Sequence, residues 1–411
     1  MNASPSSDLL RGASVADARL RMLATIEQTG AETVPLESAL GRVLAEPIAA
    51  TRDQPPFNAS AMDGWAARSS DIAAGVEVFQ VVGESAAGRP FDAGVASGEA
   101  VRISTGAPLP AGADRVVIQE EATLDRDRVR LSPSLGAPTY VRKRGNDFAV
   151  GDVLLAAGLR IDAWRLSLAA SAGAANVDVV RRPRVAILAT GEELVAPGTA
   201  PGAAAIFDSA GPGLAALAQG WGATARRLQT TGDNAAAIAA VVESEEADLI
   251  VTVGGASVGD HDLVKPALRQ LGLVLHVETV NVRPGKPVWF GVLADGRKVL
   301  GLPGNPASAF VCAELFLRPL LFAMQGVEPG PLLVAARLRT PLPAEGPREH
   351  WLRARLEIDE DGALWATPFS DQDSGMVGVF SRADALLRRP GRAGAARDGD
   401  IVDVLRLNRA E

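Results

Sequence analysis

The chain has 411 residues, of which 47% are hydrophobic and 22% are charged, a composition typical of a soluble globular protein with several domains. Its formal net charge of −8 argues against nucleic acid as the main partner, because a phosphate backbone needs a basic surface. We see no signal peptide and no apolar stretch of about 18 residues, so we expect no membrane span and a cytoplasmic location. The only cysteine, Cys312, excludes a disulfide within the chain, and its apolar helical surroundings predict burial.

The N-terminal part is predicted to be helical. Ser14 and Asp17 fit a capping box, and the apolar residues that follow share one helical face up to Ile26. A second helix is predicted over about 36–46, ending before Pro47, and residues 160–178 return to a helical pattern. We therefore assign residues 8–50 and 146–180 to one N-terminal helical and linker domain.

Residues 51–145 predict an all-β insertion, because short alternating strands and turns replace the helical period. Three of its loops are rich in Gly, Pro, Ser and Asp, and they carry Asp63, Thr105 and Asp147. On spacing alone, each of these residues is more often a turn former that hydrogen-bonds its own backbone than a functional group.

From Arg184 to about Gly326 strands alternate with helices, which predicts a doubly wound α/β domain over 181–327. Acidic residues recur where its strands end, and carboxylates at that edge are oxygen ligands suited to Mg²⁺. They are Glu192, Glu193, Asp233, Asp260 and Asp262. Each alone is explained as a helix cap, but together they favour a metal–phosphate site.

The stretch DLIVTVGGASVGDHD, residues 248–262, is central to this domain. An unbroken apolar run predicts a strand buried on both faces, and a loop with Gly254, Gly255 and Ser257 then leads to Asp262 and a helix. A helix N-terminus behind a glycine loop favours an anion. The alternative is that the glycines only make a turn and Asp262 only caps the helix.

Two further loops are expected at the same edge of the sheet. One is VRPGKPV with Arg283, Lys286 and Pro287, and the other is GLPGNP with Pro303, Asn305 and Pro306. Neither GK[ST] nor GxGxxG occurs, so a mononucleotide or phosphate ester fits better than a kinase-type P-loop or a dinucleotide site. Lys286 is one of only four lysines among 41 basic residues, which suggests a chosen point charge, although chance also explains it.

Residues 331–411 predict a small C-terminal β-domain, whose sequence DQDSGMVGVFSR is polar and Gly-rich where a strand is expected. The three histidines do not cluster, so a zinc site is not expected.

Seven motifs in this order resemble the molybdopterin molybdenumtransferase family, which includes MoeA proteins and the gephyrin E domain. They are PPFNASAMDGWA, RISTGAPLPAGAD, RGNDF, ATGEEL, TVGGASVGDHD, RPGKPV and GLPGNPASA. The resemblance implies molybdenum insertion from molybdate into adenylated molybdopterin, with release of AMP and a requirement for Mg²⁺, to form molybdenum cofactor. It implies four domains, with a molybdopterin-binding α/β domain and a final β-barrel. It also implies a homodimer whose active sites lie between subunits, and molybdopterin adenylyltransferase as a candidate partner.

The resemblance also assigns roles to individual residues. Those implied to be catalytic are Asp63, Thr105, Asp147, Glu193, Asp233 and Lys286. Asp262 and Asp233 would hold Mg²⁺ on the phosphates. Those implied to bind the substrates are Gly254, Gly255, Ser257, Arg283, Pro287, Pro303, Asn305, Pro306, Arg348 and Ser374. Ser374 and Pro287, with Arg348 or Arg353, would lie near molybdate.

The chain departs from the family pattern at Asn58-Ala59, Trp65, Arg283, Asp373 and Asp384. Asp373 places a negative charge next to Ser374, where glycine is common. Two alternatives to the enzyme are a non-catalytic scaffold on the same fold and a different nucleotide-cleaving enzyme that shares only the α/β domain. Both leave the acidic loops or the PPFNASAMDG insertion without a use.

Overall fold

The computed structural model describes residues 9–228, 234–254, 263–328 and 333–407. The chain forms two compact units. Unit 1 contains Met1–Glu32, Gly41–Val43 and Val179–Glu411, and unit 2 contains Thr33–Leu40 and Leu44–Asp178. Unit 2 is therefore an insertion into the sequence of unit 1.

The α-helices of the described ranges are α1 (Val15–Leu23), α2 (Ser69–Ala73), α3 (Ala163–Ser171), α4 (Ala210–Gly220), α5 (Ala235–Glu243), α6 (Val264–Gln270), α7 (Pro306–Cys312), α8 (Arg318–Met324) and α9 (Val377–Phe380). The expected cap of α1 is confirmed, because the Ser14 side chain accepts a hydrogen bond from the Asp17 amide. α1 packs into the α/β core of unit 1 through Val15, Ala18 and Met22.

The predicted helix over 36–46 is wrong. Only a 3₁₀ turn forms, at Leu36–Ser38. Gly41 has a φ of +75°, which a right-handed helix does not allow. The Arg42 guanidinium is buried and donates to the Val180 carbonyl, so this segment is held by tertiary contacts instead. The helical pattern over 160–178 also ends early, because α3 stops at Ser171 and a strand follows.

Unit 2 is mainly β-structure, as expected for the insertion. The strands of this part of the chain are β1 (Ala31–Pro35), β2 (Ile48–Ala49), β3 (Ala59–Ser60), β4 (Gly64–Ala67), β5 (Val78–Ser85), β6 (Glu99–Ile103), β7 (Arg115–Ile118), β8 (Ala122–Asp125), β9 (Arg128–Leu131), β10 (Val141–Arg142), β11 (Val153–Leu155) and β12 (Asn176–Val180). Six of them form one sheet in the order β7-β4-β6-β5-β9-β8. Trp65 and Phe79 fill the core on one face, and Val101 and Ile103 fill it on the other.

The α/β part of unit 1 is built on a six-stranded sheet in the order β16-β13-β17-β21-β20-β18. The strands of this part are β13 (Arg184–Ala189), β14 (Leu194–Val195), β15 (Ile206–Phe207), β16 (Thr224–Arg227), β17 (Leu249–Val253), β18 (Val274–Val277), β19 (Val282–Arg283), β20 (Trp289–Val292) and β21 (Lys298–Leu302). The first four strands in the sheet are parallel, whereas β20 runs antiparallel to both of its neighbours. All five residues of β17 are buried, which confirms a central strand covered on both faces.

The helix pair α7 and α8 is continuous through a π-helical turn, Ala313–Leu317. Together they span Pro306–Met324, 19 residues with a mean hydropathy of 1.6, so the expectation of no long apolar stretch is wrong. However, 83% of this stretch is buried against the rest of the described chain. It is a core helix, and Cys312 within it is fully buried, as predicted.

The C-terminal part is a closed five-stranded barrel. Its strands are β22 (Leu333–Leu338), β23 (Glu349–Ile358), β24 (Leu364–Pro368), β25 (Ala385–Arg389) and β26 (Ile401–Arg406). The order β23-β24-β22-β26-β25 closes because β25 also pairs with β23. The short strand β19 of the α/β part adds to β23 in parallel, with Arg283 opposite His350. The RPGKP loop is thereby attached to the barrel.

Candidate functional site

The three central parallel strands end in loops that approach one another at backbone distance. The Thr190 amide donates to the Val253 carbonyl at 2.9 Å, and the Gly254 amide donates to the Leu302 carbonyl at 3.2 Å. Gly254 has a φ of +91°, and a Cβ there would lie 2.6 Å from the Thr190 carbonyl oxygen. A Cβ on Gly304 would lie 3.5 Å from the Gly254 Cα. Glycine at 254 is therefore required for the loops to meet.

Several predicted residues of this edge lie outside the described ranges, namely Asp233, Gly255, Ser257, Asp260 and Asp262. Glu193 is described and exposed, and its carboxylate lies close to Gly191. Among the described residues there is no group of three or more His, Cys, Asp or Glu side chains arranged for a metal ion. The described ranges therefore do not test whether the Mg²⁺ ligands Asp233 and Asp262 come together.

The GLPGNP loop is joined to the loop of the barrel that carries Ser374. Asn305 Nδ2 donates to Ser374 Oγ at 2.8 Å, and the Ala307 amide donates to the Ser374 carbonyl at 3.1 Å. Pro306, the first residue of α7, has no amide proton to satisfy. Nearby, the rings of Phe310 and Phe380 lie 5.4 Å apart. Two predicted substrate-binding residues, Asn305 and Ser374, are thus in direct contact.

A buried arginine lies behind the Ser374 loop. Arg353 has 0% exposure, and its Nη2 donates to the Asp373 carbonyl at 2.9 Å. Its Nε and Nη1 are buried and have no hydrogen-bond partner among the described residues. Burial lowers the pKa of Arg353, and the charges of Asp371 and Asp373 oppose that shift. An arginine remains protonated at physiological pH, so the loop lies on a buried cation with unused donors. Arg348 is half-buried just before β23, and Arg353 is the arginine bonded into this loop.

The RPGKP loop supplies two more cations. Arg283 and Lys286 are exposed, and Lys286 forms no ion pair with any described residue. Gly285 has a φ of +116°, and a Cβ there would lie 2.3 Å from Cys312 Sγ. The Lys286 carbonyl accepts from the Val280 amide at 3.1 Å. The backbone around Lys286 is therefore fixed by packing on α7, while its side chain is free to meet a ligand.

His350 is a buried residue whose pKa is affected by two of these cations. It is 6% exposed, and its Nδ1 lies 3.1 Å from Glu345 Oε1. Burial lowers the pKa of His350, the contact with Glu345 opposes this, and the charges of Arg283 and Arg353 lower the pKa further. Arg283 and Arg353 thus act on the same imidazole from two different segments. Sequence analysis did not identify His350, and an isolated histidine gave no signal for it.

Unit 2 contains its own group of predicted residues. Asp63 Oδ1 accepts from the Thr105 amide at 2.6 Å and from Thr105 Oγ1 at 3.0 Å. These two hydrogen bonds, the amide first, lower the pKa of Asp63. The loops meet because the Ser60 amide donates to the Ala107 carbonyl at 3.0 Å. Asp63 and Thr105 are therefore partners, and Asp63 is an exposed residue.

The third predicted loop of unit 2 meets the segment before Asp63. The Asp147 amide donates to the Gln54 carbonyl at 2.9 Å, and the Asp147 side chain is exposed. Arg144 forms an ion pair with Asp53, and its amide donates to Asn58 Oδ1 at 3.0 Å. Asp53 and Asn58 hold this loop in place, and sequence analysis missed that role. The only signal was the lack of any helical or strand period in RDQPPFN.

Comparison with known families matches nearly the whole chain. Residues 13–173 match the MoeA N-terminal region (domain I and II), residues 186–323 match a probable molybdopterin binding domain, and residues 335–407 match the MoeA C-terminal region (domain IV). A protein of Nostoc sp. named molybdopterin molybdenumtransferase is 35% identical over 390 residues, which cover 92% of this chain and 89% of that protein. A protein of the same name from Staphylococcus epidermidis is 32% identical over 379 residues, 90% of each chain.

The fold is also similar to solved structures. The crystal structure of a molybdopterin biosynthesis MoeA protein from Pyrococcus horikoshii superposes with a TM-score of 0.83 at 30% sequence identity, covering 96% of this chain and 99% of that one. A second structure of such a protein from this organism gives a TM-score of 0.80 at 26% identity, covering 96% of this chain and 100% of that one. The similarity therefore extends over every part of the fold described above.

Proposed function

The chain belongs to the molybdopterin molybdenumtransferase family, and we propose that it transfers molybdenum from molybdate into adenylated molybdopterin with release of AMP. As a member of this family it is a transferase of molybdenum cofactor biosynthesis that acts by molybdenum insertion. The adenylated form of the substrate and the release of AMP are tested directly by following AMP.

One observation carries the proposal, namely the unpartnered donors of Arg353 behind the Ser374 loop. Molybdate is a tetrahedral dianion, and the buried guanidinium charge directly behind the Ser374 loop would attract such an anion to the loop. The Ser374 hydroxyl, already fixed by Asn305, can donate its own proton to the same anion. Arg283 and Lys286 would add positive charge from the RPGKP loop. This local set of cations answers how a protein with a net charge of −8 can hold a dianion.

The edge formed by Thr190, Gly254 and Gly304 supports a nucleotide phosphate beside that anion. Backbone without side chains at Gly254 and Gly304 lets a phosphate approach closely. Asp233 and Asp262 would hold Mg²⁺ there, and Mg²⁺ would neutralise charge on the phosphates. Both residues lie outside the described ranges. Glu193 at the same edge, and Asp63, Thr105 and Asp147 in unit 2, are proposed to act on the substrate.

Assembly and location are also proposals. We propose a homodimer, because the proposed site residues are divided between two compact units. A molybdopterin adenylyltransferase would be the enzyme that supplies the adenylated substrate. A cytoplasmic location fits a chain in which the long apolar helix found among the described residues is mostly buried in its own core.

The direct test is to incubate the purified protein with adenylated molybdopterin, Mg²⁺ and molybdate and to follow AMP. We expect AMP release that depends on molybdate and that falls strongly in Ser374→Ala and Asp262→Asn variants. A protein that binds the nucleotide without releasing AMP would indicate a scaffold. AMP release that is indifferent to molybdate would indicate a different nucleotide-cleaving enzyme. Either result would contradict the proposal.

A further inference from the structure

The loop that presents Ser374 also presents two carboxylates. Asp371 Oδ1 accepts from the Asp373 amide at 2.9 Å, and Asp373 Oδ1 accepts from the Gly375 amide at 2.8 Å. Both aspartates are exposed, and each side chain is folded back onto the backbone of its own loop. Their positions are therefore fixed by the loop and do not depend on a partner from elsewhere.

Neither carboxylate neutralises Arg353 by direct contact. Within the described chain Arg353 forms no ion pair, and its guanidinium bonds to the main-chain carbonyl of Asp373. The charges of Asp371 and Asp373 nevertheless act on it, since both oppose the effect of burial on the Arg353 pKa. A buried cation with free donors and a fixed negative charge beside it thus share one small site.

Asp373 is the closer of the two carboxylates to Ser374 along the loop. It precedes Ser374, and its Oδ1 is bonded to the amide of the residue that follows Ser374. The Asp373 side chain therefore closes a short turn that contains Ser374. An anion that accepts a hydrogen bond from the Ser374 hydroxyl would therefore bind at the same short turn that carries this negative charge.

We propose that Asp373 is a specificity-determining residue that weakens oxyanion binding at the Ser374 loop in proportion to the charge of the anion. This inference rests on the proposed molybdate site. Repulsive groups of this kind set selectivity as much as attractive ones do. Here the repulsion acts twice as strongly on a dianion as on a monoanion of the same shape, because Coulomb energy is proportional to charge.

The size of the effect is estimated for a carboxylate at ion-pair distance from the anion. A unit charge about 4 Å from a bound monoanion changes its affinity about fivefold in a water-like environment. The same charge changes the affinity of a dianion about twenty-five-fold, because the free energy doubles. A lower local dielectric enlarges both values but keeps the free energies in the ratio of about two to one.

The test is an Asp373→Asn substitution in the full-length protein. Asparagine keeps the oxygen that accepts from the Gly375 amide, so the loop geometry is retained while the charge is removed. Dissociation constants for molybdate and tungstate, two dianions, and for perrhenate, a tetrahedral monoanion, are measured by titration calorimetry at constant ionic strength. We expect tighter binding of all three, with a gain for the dianions equal to about the square of the gain for perrhenate.

The control is Asp361→Asn, which removes the same charge from the same barrel. Asp361 is exposed in the turn between β23 and β24, at the far end of β23 from Arg353. Arg353 and Ile358 are five residue steps apart along the strand, about 17 Å. We expect unchanged affinity for all three anions, which would assign the effect of Asp373 to its position and not to net charge.

Equal gains for dianions and perrhenate, or no gain at all, would overturn the role of Asp373 while leaving the molybdate site intact. If neither the unmodified protein nor Asp373→Asn binds any of the anions, the proposed molybdate site itself fails. If only Asp373→Asn binds them measurably, with the dianions bound more tightly than perrhenate, the inference is supported. The calorimetric readout needs no turnover, so these outcomes are independent of AMP release.

Discussion

At the scale of single residues, a substitution of Lys286 can distinguish an effect on ligand binding from an effect on folding. Gly285 and the neighbouring backbone are held against Cys312 and Val280, and the Lys286 side chain is exposed without an ion pair among the described residues. We expect Lys286→Ala to lower the apparent affinity for molybdate or nucleotide by about 10- to 100-fold, because one charge-assisted hydrogen bond contributes ~1.5–3 kcal/mol. The melting temperature should stay constant or rise slightly, since a cation leaves a cationic site. Both values come from one preparation, by AMP release and thermal unfolding.

Two controls accompany this variant. Lys298→Ala removes a lysine from the amino end of β21, where its Nζ donates to the Gly296 carbonyl at 2.7 Å, and should leave activity unchanged. Lys286→Arg should restore activity only in part, because the guanidinium is longer and planar. An unchanged molybdate dependence in Lys286→Ala would remove Lys286 from the site.

His350 gives a pH-dependent stability. Burial first, and then Arg283 and Arg353, lower its pKa below the ordinary value of 6.5, so the folded protein holds it neutral. Below pH 6.5 the imidazole of His350 binds a proton in the unfolded chain but stays neutral in the folded chain until the pH approaches its lower folded-state pKa. Stability contributed by His350 is therefore present above pH 6.5 and is lost as the pH falls towards its folded-state pKa.

We expect the free energy of unfolding to fall less steeply with decreasing pH in His350→Gln than in the unmodified protein below pH 6.5. The difference in slope is at most ~1.4 kcal/mol per pH unit. Denaturant unfolding at several pH values between about 7.5 and 5 measures it. His276 is the comparison, because burial and then Arg21 also lower its pKa, and it lies outside the proposed site. A steeper loss in His350→Gln would show that the residue is protonated in the fold.

At the scale of elements, Gly301 in β21 makes room for a neighbouring side chain. It lies opposite Trp289 of β20, and a Cβ on Gly301 would be 2.0 Å from Trp289 Nε1 and Cε2. Trp289 is fully buried, so the indole cannot move out into solvent. We expect Gly301→Ala to destabilise the protein by about 1–3 kcal/mol through overpacking, measured by denaturant unfolding.

Gly202→Ala is the matched control, because nothing lies within 4 Å of a Cβ at that position. The double variant Gly301→Ala, Trp289→Leu should recover part of the loss relative to Trp289→Leu alone, since the smaller side chain vacates the space. If Gly301→Ala is as stable as Gly202→Ala, the indole has another position available to it.

The elements also show what sequence can and cannot predict. β17, α6 with Pro266 in its first turn, and the cap of α1 follow from local patterns, because burial on both faces, proline placement and capping are local signals. The helix over 36–46 fails because the φ of Gly41 and the buried Arg42 are settled by distant contacts. β19, with only two residues, forms by pairing with β23 and leaves no periodic signal.

The same division holds within the candidate site. The loops were predicted from their Gly and Pro content and from resemblance, and the contacts Asp63–Thr105 and Asn305–Ser374 bring four of the named residues together in pairs. Three features depend on pairings between segments far apart in the sequence. They are the burial of Arg353, the position of His350, and the contacts of Asp53 and Asn58 with the Arg144 loop. Such pairings are visible only in three dimensions.

At the scale of the whole molecule, we expect a homodimer that needs no disulfide, since Cys312 is buried and is the only cysteine. Asp63 and Thr105 belong to one unit, and Arg353 and Ser374 belong to the other. A two-fold dimer would let each subunit complete the site of its partner. Sedimentation under reducing conditions should give a dimer, and a monomer at micromolar concentration would contradict this.

Complementation tests the sharing of sites. Asp63→Asn and Ser374→Ala proteins should each be inactive, yet mixed dimers would contain one site built from two unmodified halves. Random exchange should restore about a quarter of the sites, because half of the dimers are mixed. Mixing that restores no AMP release, with exchange verified by labelled subunits, would indicate sites made within one subunit.

The pairing of β19 with β23 has a consequence for protein engineering. Two residues of the α/β part, Val282 and Arg283, pair with β23 of the barrel. The sheet of the barrel therefore includes residues that precede the barrel in the sequence. In a chimaera that takes the barrel from a relative, β19 of the host would have to pair with β23 of the relative. Cutting after α8 therefore divides the chain cleanly in sequence but severs one sheet, and a successful graft has to carry residues 282–283 along with the barrel.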